Sequence, residues 1–123
     1  MLAAIMKHSQ ANNPKLGVTG LLCFSNGVFM QVLEGGRDCV NRLYQRIGCD
    51  ARHTNVVLLC YEETCERRFG GWSMGRVDVA RLNPALMLKY SETTALDPYA
   101  MSGRACLALF EELVATASVA GCA

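Results

Sequence analysis

Gly17-Val18-Thr19-Gly20-Leu21-Leu22-Cys23-Phe24, then Ser25-Asn26-Gly27, then Val28-Phe29-Met30-Gln31-Val32-Leu33-Glu34 is the stretch that decides the fold. Two runs rich in apolar and β-branched residues flank an Asn-Gly pair, the strongest short signal for a tight β-hairpin. Gly35-Gly36 ends the second run. Side chains alternate faces along a strand, so Gln31 shares a face with Phe29 and Leu33, while Met30 and Val32 take the other. A polar amide is thus predicted on an apolar face. An unpaired buried amide costs about 1–3 kcal/mol, so it needs a partner.

Upstream, residues 2–13 read as a helix with Leu2, Ile5, Met6 and Ser9 on one stripe. Pro14 biases Asn13 away from helical geometry and is expected to stop the helix there. Asn12 and Asn13 lie seven positions beyond Ile5 and Met6, which turns them only about 20° from the apolar stripe. Downstream, Asp38 is placed to cap a second helix. That helix carries Val40, Leu43 and Ile47 inward, groups Arg42 with Arg46 on another face, and stops at Gly48. Val56-Val57-Leu58-Leu59-Cys60-Tyr61 is an unbroken apolar run, the mark of a central strand covered on both sides. A polar loop follows from Glu62 to Arg68, and a last strand is expected around Ser73 to Val77. Asn83-Pro84 and Asp97-Pro98 each supply an N-cap followed by proline, opening two further helices. The last buries Met101, Cys106, Leu109, Phe110, Leu113 and Ala117 at helical spacing.

The order is helix, strand, strand, helix, strand, strand and two helices. A ferredoxin-like βαββαβ core needs one more strand ahead of the first helix. The predicted fold is therefore α+β, a ferredoxin-like sandwich missing its first strand. Residues 1–80 form the core and 81–123 a C-terminal helical cap.

At 123 residues the chain is a single domain's worth, and a 51% hydrophobic share supports a packed core rather than disorder. The 12 basic and 11 acidic residues leave a net charge of +1, which argues against a nucleic-acid or polybasic membrane footprint. No apolar run reaches the roughly 20 residues of a membrane span. Met1 to His8 lacks the order of a signal peptide, so a cytoplasmic protein is expected. The seven cysteines, Cys23, Cys39, Cys49, Cys60, Cys65, Cys106 and Cys122, include no Cys-x-x-Cys pair, and neither histidine stands at zinc spacing from them. No metal site and no disulfide framework is predicted.

Carboxamides offer donors and acceptors together, the match for the acceptor–donor–acceptor edge of a flavin ring. Asn12, Asn13 and Gln31 are candidates to meet on one such edge. The plainer reading makes Gln31 a core amide bonded to nearby backbone and the asparagines an ordinary helix C-terminus. Arg42, Arg46, Arg52 and His53 are placed to receive phosphates, or to form a solvated basic face. Trp72 and Met74 either line a ring pocket or fill core gaps. There is no Gly-x-Gly-x-x-Gly or Walker run, and no serine–histidine–acid set or paired-carboxylate site, so nothing points to Rossmann nucleotide binding or hydrolysis.

Asn12-Asn13, Gly17 to Leu22, Phe29 to Gly35, Arg46 with Asp50-Ala51-Arg52-His53, and Trp72-Ser73-Met74-Gly75 resemble in order and spacing the signature of the BLUF family of blue-light sensors. The resemblance covers about residues 1–80, and the tail is similar to the helical cap of short stand-alone members. It implies FAD held non-covalently between two helices on the sheet. Asn12 and Asn13 would bond the pyrimidine edge, and Gln31 would be the switching amide. Arg46, Arg52 and His53 would face ribose and phosphates, and Trp72 and Met74 would shift as the pocket rearranges. It further implies a homo-oligomer, a downstream protein partner and no substrate turnover. The family's photoactive tyrosine belongs to the first strand and is expected before residue 1, because Tyr44, Tyr61, Tyr90 and Tyr99 fall in other elements. A start assigned too far downstream is the expected cause. Two alternatives remain from the residues alone: a flavin-free oligomerisation module exposing a sheet edge, and a small acylphosphatase-like enzyme.

Overall fold

The computed structural model describes residues 2–25, 27–51, 54–78, 82–116 and 119–120. Helix α1 (Leu2–Leu16) leads into strand β1 (Thr19–Ser25), which pairs antiparallel with β2 (Val28–Glu34). The hairpin is as the sequence predicts, with Ser25 opposite Val28 and Gly27 in the left-handed region at φ 79°. Helix α2 (Arg37–Cys49) follows, then β3 (Gly75–Asp78), α3 (Pro84–Tyr90), a 3-10 turn at Pro98–Ala100, α4 (Gly103–Ala115) and a short β4 (Val119–Ala120). β3 runs parallel to β1, and the sheet order among the described residues is β2-β1-β3-β4.

The two faces of the sheet bury different sets. Leu21, Cys23, Met30 and Val77 pack with Met87, Cys106, Leu109, Phe110 and Leu113 from α3 and α4. Leu22 and Met74 pack with Met6 of α1, flanked by Phe29 and Leu33. The result is the expected α+β, ferredoxin-like sandwich, with Gln31 on the α1 side of β2.

Several local expectations are corrected. Helix α1 does not stop at Pro14 but carries it in the last turn, ending where Gly17 takes φ 68° and Val18 N donates to the Asn13 carbonyl at 3.0 Å. A proline near a helix C-terminus sacrifices one internal bond, a smaller loss than in mid-helix. The N-cap of α2 is Gly36 rather than Asp38, and the helix passes through Gly48 to Cys49. Asp97 caps only the 3-10 turn, and Ser102 opens α4 by accepting from Ala105 N at 3.0 Å. Asn83 caps α3 as predicted, accepting from Ala85 N at 2.9 Å. Ala117 lies outside the described residues, and the short β4 follows at Val119–Ala120.

The largest correction concerns Val56 to Tyr61, which forms no strand. Val57, Leu58 and Tyr61 are about half exposed, at 49%, 54% and 52%. Among the described residues no strand pairs with the outer edge of β2, and the run faces that edge across a cleft of about 1360 Å³, so its apolar side chains have no neighbouring strand with which to form a ladder.

Candidate functional site

The last turn of α1 presents two asparagines, as the spacing predicts, but they do different jobs. Asn13 is buried, and its Nδ2 donates to the Ser73 carbonyl at 2.8 Å. Asn12 is half-buried and donates to the carbonyl of His8, one turn back on its own helix, at 2.8 Å. Gln10 also reaches the segment before β3, donating to the Met74 carbonyl at 3.3 Å. Sequence reasoning missed Gln10. The available signal was its position three residues before Asn13, on the same helical face.

Gln31 stands half-buried on β2, and its Nε2 lies 3.6 Å from the Met74 sulfur. A thioether is a weak acceptor, so the amide is held loosely while remaining beside an apolar patch. Helix α2 closes the other side with Leu43, Arg46 and Ile47. It contains no buried residue, so little apolar packing fixes it against the sheet.

These elements enclose a cavity of about 70 Å³ lined by Asn12, Asn13, Gln31, Leu43, Arg46 and Asp50. The three carboxamides singled out in the sequence thus line one cavity, and Arg46 lines it with them. The cavity alone is far smaller than the roughly 300 Å³ at which ligand pockets begin. Gln31 and Ile47, however, also line the 1360 Å³ cleft beside β2, where Val40, Tyr44 and Leu33 add apolar surface. Apolar surface therefore adjoins the amide-lined cavity through Gln31 and Ile47. The donor set matches a flavin edge in kind.

Not every expected residue joins the site. Met74 lines neither cavity and meets the site only through its sulfur, 3.6 Å from Gln31 Nε2, while Trp72 packs against the cluster on the opposite face, with its carbonyl accepting from Gly20 N at 3.0 Å. Arg42 is exposed and absent from both cavities. Arg52 and His53 lie outside the described residues. Among the described residues no cluster of His, Cys, Asp and Glu is placed to hold a metal ion, and no helix is long and apolar enough to cross a membrane.

Comparison with known proteins adds a sequence family and a set of folds. Residues 1–75 match the family model described as "BLUF: Sensors of blue-light using FAD". A photoactivated adenylate cyclase subunit beta of Euglena longa is 41% identical over 68 residues, which are 55% of this chain and only 8% of that subunit. Among solved structures, the photo-activated state of BlsA superposes with TM-score 0.82 at 30% identity, covering 92% of this chain and 80% of that one. BlrB, described as a BLUF protein in its dark state, gives TM-score 0.77 at 31% identity over 94% and 83% of the two chains.

Proposed function

Because the chain belongs to the BLUF family of blue-light sensors, we propose that it binds FAD between α1 and α2 and signals by rearranging the hydrogen bonds of Gln31. The observation that carries this reading is the meeting of Asn12, Asn13, Gln31 and Arg46 on one cavity that shares Gln31 and Ile47 with a larger apolar cleft. Asn12 and Asn13 orient the polar edge of the ring. Arg46 lies at the α2 wall and takes the ribose-phosphate side, joined by Arg52 and His53. When bound, FAD supplies the absorption of blue light and the electron acceptor.

Gln31 performs the switch. A carboxamide has a donor end and an acceptor end, so reversing it changes which neighbours are bonded without moving the backbone. Its present partner, the Met74 sulfur, is easily exchanged for a stronger acceptor. Met74 immediately precedes β3, and Gln10 and Asn13 bind the carbonyls of residues 73 and 74. A change at Gln31 therefore acts on the strand that passes beneath α3 and α4. Trp72 responds from the opposite face through its bond to Gly20. In this division residues 1–80 are the flavin core and 81–123 the output segment, offered in the cytoplasm to a downstream protein partner or a second copy of the chain. Turnover belongs to that partner: the cyclase to which this chain is similar couples such a sensor to catalysis. The family match gives the acylphosphatase-like alternative no support.

Purified protein supplied with FAD is expected to be yellow, with absorption moving to the red under blue light and recovering in darkness. Gln31→Leu should keep the colour and lose the shift. Colourless protein after FAD supplementation would overturn the reading. A second reading, the flavin-free oligomerisation module, is favoured by one observation, that among the described residues no strand pairs with the outer edge of β2. A colourless but discrete oligomer in light scattering would select it.

A further inference from the structure

Three thiols stand in line from the sheet to the surface on the side away from the carboxamides. Cys23 of β1 is buried in the core and Cys106 of α4 beside it is 4% exposed, whereas Cys60 is exposed on the unpaired run. The run comes close to α4 at one point. A Cβ built on Gly103 would stand 3.0 Å from the Cβ of Cys60 and deep inside contact distance of the Leu59 carbonyl, so the approach exists only because residue 103 is glycine. Cys106 follows Gly103 by three residues, on the same side of the helix. Cys60 and Cys106 both line the cleft beside β2.

We propose that Cys60 and Cys106 form a reversible disulfide, made by exchange with a low-molecular-weight disulfide such as glutathione disulfide, which staples the 56–61 run to α4. The exposed Cys60 thiolate attacks one sulfur of glutathione disulfide, forming a mixed disulfide and releasing one glutathione thiolate. The Cys106 thiolate then attacks the Cys60 sulfur, closing the protein disulfide and releasing the second glutathione. The two cysteine protons end on the two glutathiones, and the two electrons lost by the cysteines reduce the glutathione disulfide. Burial, and next the neighbouring Cys60, raise the Cys106 pKa, so the second step quickens with rising pH. Among the described residues no strand pairs with the run, so a disulfide need not break a ladder to draw it the last distance to disulfide geometry. The proposal rests on the geometry of the thiols and not on the flavin reading.

The test is peptide mapping of the full chain after incubation with glutathione disulfide and alkylation of remaining thiols. Cleavage after arginine and glutamate separates Cys60 from Cys65 through Glu62 and Glu63, and Cys106 from Cys122 through Glu111 and Glu112. The expected product is a Cys60–Cys106 peptide pair lighter by two hydrogens, restored to free thiols by dithiothreitol. Cys65→Ser should leave it unchanged and Cys60→Ser should abolish it. Gly103→Ala, which pushes the run away without touching either sulfur, should slow its formation several-fold. Glutathione retained on Cys60, a Cys60–Cys65 or Cys23–Cys106 pair, or a Cys60-linked dimer would each overturn the proposal.

Discussion

Asn13 shows how one residue ties the helix to the sheet before any ligand is considered. Its Nδ2 donates to the Ser73 carbonyl from a side chain 2% exposed, so truncation leaves a half-buried carbonyl without its donor. Asn13→Ala is expected to lower unfolding free energy by about 1–3 kcal/mol in urea titration. Asn12→Ala, which loses only a bond to its own helix, should cost under about 1 kcal/mol. Equal losses would mean that Asn13 is not the strap. Cys23 gives a second prediction at this scale. Burial, and next Cys106, push its thiol from the ordinary 9.0 up to about 12. The folded thiol keeps its proton where the unfolded one has lost it. Stability present in full below pH 9 is therefore lost as pH rises toward 12, by up to about 1.4 kcal/mol per pH unit. Cys23→Ala should flatten the stability–pH curve between pH 9 and 11 relative to the parent, and parallel curves would refute the assignment.

At the scale of elements, the sequence was most legible where the signal is local. The Asn-Gly hairpin, the Asn83 cap of α3 and the apolar stripe of α4 depend on neighbours within a few residues, and all three are found. The carboxamide cluster was legible for the same reason, because strand alternation and the seven-residue helical repeat aim side chains without knowledge of the rest of the chain. The 56–61 run was misread because a strand is defined by what pairs with it, and hydrophobicity does not reveal whether a partner is present. Of the two readings open for Trp72 the structure gives the core-filling one, and it departs from the face of Met74 because it precedes β3, where alternation of faces does not yet hold. The strand question has a direct measurement. Leu58 is 54% exposed, so Leu58→Lys should change stability by less than about 0.5 kcal/mol, while Leu21→Ala in the core should cost about 2–5 kcal/mol. Amide hydrogens of 56–61 should exchange far faster than those of Leu21 to Cys23. A protected 56–61 run with a large Leu58→Lys penalty would restore the central-strand assignment.

For the whole molecule, the decisive property is that one helix is held weakly over the site while the sheet beneath it is packed. Helix α2 buries no residue, whereas β1 is buried from Leu21 to Cys23, so the wall carrying Arg46 can shift without disturbing the core. Ligand binding and α2 order are then linked: FAD at about a hundredfold excess over its dissociation constant should add about 2.7 kcal/mol to the stability of the folded state. The arginine's share is separable by comparing ligands that differ only in their phosphates. A hydrogen bond to a charged group contributes about 1.5–3 kcal/mol, so Arg46→Ala should weaken FAD about 10- to 100-fold. Riboflavin has the same ring and no phosphate, and its affinity should change less than about twofold. An equal loss for both ligands would mean that Arg46 shapes the cavity wall rather than binding phosphate, and α2 would then be a lid over the ring alone.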